Sequence, residues 1–163
     1  MDVHAWFVDS NRSIARRDPH IMARTSLTRR IQFSSAHRYR RSDWSDAENE
    51  TTFGACAHAN YHGHTYTCDV TVTGPIDDVT GFVVDLGLLD RILQDEVRAR
   101  FDHRNINLDV PEFGDGKLIP SGENIARFIA GIVQVALAQT SARVLRVRVA
   151  EDATLSSTYE AEQ

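Results

Sequence analysis

The segment CAHANYHGH, Cys56 to His64, places three histidines and a cysteine in one short stretch. His62 and His64 stand two apart at the head of an alternating segment, so both imidazoles project from one face of a strand. Their Cα atoms are then expected about 6.5–7 Å apart, which lets both rings converge on one Zn2+ at ~2.0–2.1 Å per bond. Gly63 puts no side chain between them. His37 ends the stretch FSSAH, and an antiparallel pairing of the two strands carries a third imidazole to the same place. Three histidines and an open position make a catalytic zinc site, in which the metal acts as a Lewis acid. The rival for these residues is a set of loop and surface histidines with no metal, and spacing alone weighs the two about evenly.

Cys56 admits three readings. It closes the site as a fourth ligand and makes it structural, or stands beside the metal as a thiolate of lowered pKa, or is a small buried apolar side chain. His58 reads as an exposed loop histidine, because His62 and His64 already supply the local ligands. In FDHRNIN, Asp102 precedes His103 directly after a helical stretch. The pair is a proton relay, with the carboxylate fixing the tautomer, or the histidine simply meets the helix dipole. Glu151, in VAEDATLS, ends an apolar strand. A carboxylate there accepts two parallel hydrogen bonds from a guanidine-like N–H edge, or faces water.

The elements that must position these groups are legible from periodicity. From Ser26 to Ala36, Leu27, Arg29, Ile31, Phe33 and Ser35 alternate with polar residues, which predicts a strand with one arginine on its apolar face. RYRRSDWSDAENETTFGA reads as a long polar loop. HTYTCDVTVTG predicts a second strand, with Tyr66, Cys68, Val70 and Val72 on one face. Leu86, Leu89, Ile92, Leu93, Val97 and Phe101 predict a helix capped by Asp85. Ile125, Phe128, Ile129, Ile132, Val133, Val135 and Ala136 predict another, capped by Ser121. ARVLRVRVAEDATLSSTYEAE predicts two strands around a turn, with Leu145, Val147 and Val149 facing the core and Val144, Arg146 and Arg148 facing away. The order ββααββ is that of an α+β protein, a four-stranded antiparallel sheet with two helices on one face.

Composition narrows the classes. The 163 residues are 42% hydrophobic and 25% charged, as in an ordinary single globular domain. A formal charge of −5 disfavours general nucleic-acid binding, and no apolar run approaches the ~20 residues of a membrane helix. With two cysteines and no apolar leader, the chain is expected to be cytoplasmic. Residues 1–24 show no useful periodicity and are expected to be an irregular extension, with a single domain over 25–163.

RRIQFSSAHR, CAHANYHGHTY, GFVVDLGLLDRIL, FDHRNIN, PSGENIA and the final VAED with STYE occur in an order that resembles the 6-pyruvoyltetrahydropterin synthase family, including its 6-carboxytetrahydropterin synthase relatives. The resemblance runs from about Arg29 to Glu160. It implies the tunnelling fold (T-fold) and a homohexamer built as a dimer of trimers, with active sites between subunits. It implies one zinc per subunit on His37, His62 and His64, and Cys56 as general base rather than ligand. Asp102 and His103 become the second proton-transfer pair. Glu151 becomes the pterin anchor, with Ser121, Gly122 and Glu123 beside the ring. Ser121-Gly122 stands where the family usually has two hydroxyl residues, and Leu86 where an aromatic is common.

The implied activity is that of a carbon–oxygen lyase converting 7,8-dihydroneopterin triphosphate to 6-pyruvoyltetrahydropterin with loss of triphosphate, which Mg2+ would accompany. Arg29, Arg30 and Arg38 are candidates for the triphosphate end. Five residues separate Cys56 from His62, as in the pyruvoyl synthases, whereas the carboxy synthases of queuosine biosynthesis more often have three. Two readings from other classes compete with this one. A cupin-type metal oxidoreductase also uses a His-x-His strand, but two helical segments argue against it. A non-catalytic module would use zinc only to staple the long loop.

Overall fold

The computed structural model describes residues 25–162; the expected extension over residues 1–24 lies outside the described residues. Strand β1, Ser26–His37, pairs antiparallel with β2, His62–Thr73, in one unbroken ladder from Ser26 opposite Thr73 to His37 opposite His62. The other edge of β2 carries β4, Arg143–Ala150, which in turn pairs with β5, Ser156–Glu160, both antiparallel. These are the four expected strands. A fifth, β3, is only Arg104–Asn105 and lies parallel to β1, giving the order β3-β1-β2-β4-β5. Two residues are too few to leave an alternating pattern in the sequence.

One face of the sheet is covered by two helical stretches. The first begins as α2, Leu86–Ile92, continues as a π-helical turn over Leu93–Arg98, and ends as α3, Ala99–Phe101. The second is α5, Gly122–Ala136. Both predicted caps form, Asp85 accepting from the N–H of Leu88 and Ser121 from that of Asn124. Leu89, Leu93, Val97 and Phe101 are fully buried, with Ile125, Ile129 and Val133 from α5, against Phe33, Tyr66, Cys68, Val70 and Val72 of the sheet. Val135 instead lies on the outer face of its helix, 76% exposed. Arg29, the charged residue on the apolar face of β1, forks onto Asp90 of α2 at 2.6 and 2.9 Å.

The strand β4 departs from its predicted phase. Its register with β2 shifts between Thr71 and Val72, so that Thr71 opposes Arg146 while Val72 opposes Val144. Leu145 is the extra residue of a β-bulge, and the alternation restarts on either side of it. Val144 therefore joins Val147 and Val149 in the core, and Leu145 is only half-buried. The phase expected from strict alternation holds only C-terminal to the bulge.

The long polar loop also holds more structure than its composition suggests. Helix α1, Asp46–Phe53, is started by a capping box in which the Ser45 hydroxyl accepts from the Glu48 N–H and the Glu48 carboxylate accepts from the Ser45 N–H. The side-chain amide of fully buried Asn49 ties it inward, accepting from Arg41 N–H and donating to the carbonyls of Arg41, Trp44 and Ser45. A 3-10 turn, Gly54–Ala57, follows and carries Cys56. A short helix α4, Ile106–Asp109, and a 3-10 turn, Pro111–Phe113, lie between β3 and α5.

Candidate metal centre and its surroundings

The β1–β2 ladder alone brings the three histidines together. His37 sits directly opposite His62 on the last rung, and His64 lies one alternation back on the same face, opposite Ser35. Gly63 faces the opposite side, where a Cβ would meet the Ser35 carbonyl oxygen at 3.2 Å. Ring centroids are separated by 4.5 Å for His37–His62, 5.1 Å for His62–His64 and 5.2 Å for His37–His64. One potential ligand nitrogen from each ring lies within 4.8 Å of the other two.

Hydrogen bonding fixes which nitrogen of His37 is free. Its Nδ1 lies 2.8 Å from the carbonyl oxygen of Pro120. A carbonyl has no proton to give, so Nδ1 carries the hydrogen and Nε2 is a bare lone pair. That Nε2 is buried without a partner, and so is Nε2 of His64. Orphaned buried nitrogens are costly unless something coordinates them, and three imidazoles with their lone pairs convergent are a donor set that fits Zn2+. Burial holds the His37 imidazole down to about 4, against the pull of the Pro120 carbonyl, and the two neighbouring histidines lower it further. His62 is lowered too, first by burial and then by His64 and His58. Both rings are thus kept neutral, as ligands must be. His58 itself is exposed and stands outside the cluster, as expected.

A carboxylate and two phenols complete the wall. Glu151 is 8% exposed, and its Oε2 is 3.6 Å from Nε2 of His64, beyond hydrogen-bond reach. The Tyr39 hydroxyl donates to Glu151 Oε1 at 3.2 Å, and the Tyr66 hydroxyl lies 3.1 Å from Nδ1 of His37. Burial first and the Glu151 charge second push both phenols up, so they remain protonated. Tyr39 and Tyr66 were not singled out from sequence as site residues. Tyr66 has a signal in the strand period, since it follows His64 by two residues on β2, whereas Tyr39 lies just beyond the end of β1.

Cys56 is placed by the Tyr39 N–H donating to its carbonyl oxygen at 2.8 Å, and its side chain is half-buried. Burial and then Glu151 push its thiol up, so it stands within the field of the same carboxylate. It is not among the convergent ligands. Gly122, the first residue of α5, is buried against Glu151 and Ser157, with Ser121 and Glu123 on either side.

Asp102 and His103 form a pair that is not among the convergent ligands. Asp102 accepts from the Ser34 N–H at 2.9 Å, which holds its carboxyl below the usual range, with His103 and Arg98 contributing after it. The Asp102 carboxylate is 3.2 Å from Nδ1 of His103. His103 has a left-handed backbone at φ 57°, its N–H bonded to the Ser34 carbonyl, and its side chain is 85% exposed. It borders a shallow groove at the β1–β3 edge that His64 also borders.

The three arginines proposed for an anion separate. Arg29 is held by Asp90 and Arg30 by Asp69, both bidentate and near the end of β1 remote from His37. Arg38, one residue beyond His37, lies over the Tyr61 ring at 4.8 Å and pairs with no carboxylate among the described residues. Asn107 clamps its backbone on both sides, and it lines a small pocket with Arg40 and Lys117.

Residues 26–162 match the protein family described as 6-pyruvoyl tetrahydropterin synthase. The chain is 41% identical over 103 residues to the human 6-pyruvoyl tetrahydrobiopterin synthase, spanning 63% of this chain and 70% of the human protein. It is 36% identical over 86 residues to the 6-carboxy-5,6,7,8-tetrahydropterin synthase of Bacillus subtilis, spanning 52% and 54%. The solved 6-pyruvoyl tetrahydropterin synthase of Caenorhabditis elegans superposes with a TM-score of 0.79 at 32% identity, covering 86% of this chain and 98% of that one. No helix among the described residues is long and apolar enough to cross a membrane.

Proposed function

The chain belongs to the 6-pyruvoyl tetrahydropterin synthase family, and from that premise we propose that it converts 7,8-dihydroneopterin triphosphate to 6-pyruvoyltetrahydropterin with release of triphosphate, as a zinc-dependent carbon–oxygen lyase. The observation that carries this reading is the convergence of three histidines beside the buried carboxylate of Glu151. Zinc on His37, His62 and His64 would supply a Lewis acid for the substrate's side-chain hydroxyls.

The chain's own residues divide the remaining work. Glu151 accepts the N–H and NH2 of the pterin's guanidine-like edge as two parallel bonds, with Ser121, Gly122 and Glu123 beside the ring. Cys56 removes a proton from the side chain, and Asp102 orients His103 to exchange one with the substrate's other face. The side chain is oxidised as the pyrazine ring is reduced, so no external redox cofactor is required. A nearly fully exposed His103 at a sheet edge fits a site completed by a neighbouring subunit, in a homohexamer built as a dimer of trimers. Arg38 is the one of the three arginines free for the triphosphate, with Mg2+ accompanying it. The expected compartment is the cytoplasm.

The test is incubation of zinc-loaded protein with 7,8-dihydroneopterin triphosphate and mass spectrometry of the products. 6-Pyruvoyltetrahydropterin with triphosphate supports the reading. 6-Carboxytetrahydropterin with acetaldehyde and triphosphate moves the chain to the activity named for the Bacillus subtilis relative. Unchanged substrate with zinc bound overturns the activity and leaves the non-catalytic zinc module.

A further inference from the structure

Gly122 and Ser157 meet in an unusual way. A Cβ at Gly122 would lie 2.6 Å from the Ser157 hydroxyl oxygen and 3.1 Å from its Cβ, closer than any side chain could stand without displacing Ser157. The same point is 3.7 Å from Oε1 of Glu151. The hydroxyl of Ser157 and the carboxylate of Glu151 therefore converge on the space that a side chain at position 122 would occupy.

The fold makes this meeting possible. Ser157 lies on β5 opposite Val149 of β4, two residues before Glu151 leaves the same strand pair, and it shares the helix-facing side of β5 with Tyr159. Gly122 opens α5 immediately after its Ser121 cap and meets Ser157 of β5 there.

We infer that the Ser157 hydroxyl is a substrate-binding group, accepting the outward N–H of the exocyclic amino group on a ring whose inner N–H edge is held by Glu151. The inference rests on Glu151 taking a pterin-like ring, as proposed above. A carboxylate that accepts the ring N–H and one amino hydrogen leaves the second amino hydrogen unsatisfied, pointing to the side. An acceptor is needed there. The Ser157 hydroxyl also sits against the Glu123 carboxylate, which it helps to hold below its usual range after the Glu123 N–H and the Ser121 hydroxyl. A hydroxyl that turns its single proton toward Glu123 keeps its lone pairs for an incoming donor.

The test compares neopterin binding, by fluorescence titration of the zinc-loaded protein, in wild type, S157A, G122S and the G122S/S157G double variant, with KM and kcat for 7,8-dihydroneopterin triphosphate. Loss of one hydrogen bond predicts neopterin affinity about three- to ten-fold weaker in S157A, with KM raised and kcat nearly unchanged. G122S alone weakens binding more, because its Cβ collides with Ser157. The double variant moves the hydroxyl from one position to the other and restores affinity to within about two-fold of wild type, a result that a packing role for Ser157 does not produce. Wild-type affinity in S157A, or a double variant weaker than both single variants, overturns the inference while leaving the pterin reading intact. A wild-type protein that binds no neopterin overturns the reading and the inference with it.

Discussion

His37 faces His62 across the last rung of the β1–β2 ladder, with ring centroids 4.5 Å apart, yet the two rings are held very differently. His37 is wholly buried, with Nδ1 engaged by the Pro120 carbonyl, while His62 is only half-buried. Substituting either by alanine should abolish tight zinc binding. His37→Ala should in addition destabilise the metal-free fold by about 2–4 kcal/mol, through a cavity and an unsatisfied carbonyl. His62→Ala should cost under about 1 kcal/mol. Metal analysis with urea denaturation of the metal-free proteins separates the two; equal destabilisation would contradict the account.

Protonation should unfold the metal-free protein earlier than an ordinary histidine content suggests. His37 titrates near about 4 when folded and near about 6.5 when unfolded, so the unfolded chain takes the proton first. Its contribution to stability is complete above pH 6.5 and is lost as pH falls toward 4, amounting to at most about 3 kcal/mol. Denaturation midpoints measured between pH 7 and 5, before most carboxylates titrate, should fall. A flat profile there would show that burial does not depress this ring.

Cys56 should behave as a base only with a cation at the histidines. In the metal-free protein its thiol is raised by burial and by Glu151, so alkylation by iodoacetamide should be slow at pH 8 and accelerate well above it. Zinc should move that profile to lower pH. Cys68, fully buried and pushed up to about 12, should stay unmodified throughout. Cys56→Ala should keep zinc and fold while losing turnover by at least ~100-fold.

The ion pairs of Arg29 and Arg30 predict that neither handles substrate. Arg29→Gln and Arg30→Gln should leave KM within about two-fold and the fold nearly as stable, since both pairs are solvent-exposed and screened. Arg38→Gln should raise KM for the triphosphate ester about ten-fold or more, as loss of a charge-assisted contact does. Steady-state kinetics on the three variants decide the matter, and an unchanged Arg38→Gln would remove the anion assignment.

The β-bulge makes its own forecast. Val144→Ala empties a core position and should cost about 1–3 kcal/mol, whereas Leu145→Ala, at the half-buried extra residue, should cost clearly less. Thermal denaturation of the two variants checks it, and the reverse order would place the bulge elsewhere.

The alternating strands, the two helical stripes and both helix caps were readable because each reflects a local period or a local hydrogen bond. The histidine cluster was readable for the same reason, since His62 and His64 share a strand face and His37 needs only an antiparallel partner. The bulge at Leu145 was not, because VLRVRV is compatible with either phase and the choice is made by β2 across the ladder. The capping signature S-x-x-E at Ser45–Glu48 was present, but α1 buries almost nothing and so carries no apolar stripe. The placement of His103 at the sheet edge could not be read either, since it depends on the chain between α3 and β3 being pinned to Ser34 of β1.

The single backbone bond between Tyr39 and Cys56 closes the polar excursion between them into a loop with fixed ends. Closing a longer loop costs only about 0.6 kcal/mol for each doubling of its length. Segments inserted between α1 and its flanking turns would therefore leave the thiol where it is, because the clamp, and not the path of the chain, sets its position. That makes the exposed turn at Ser42 and Asp43, ahead of the α1 cap and outside the buried Asn49 contacts, the place where the chain can best accept a tag or a fluorescent reporter without displacing the site.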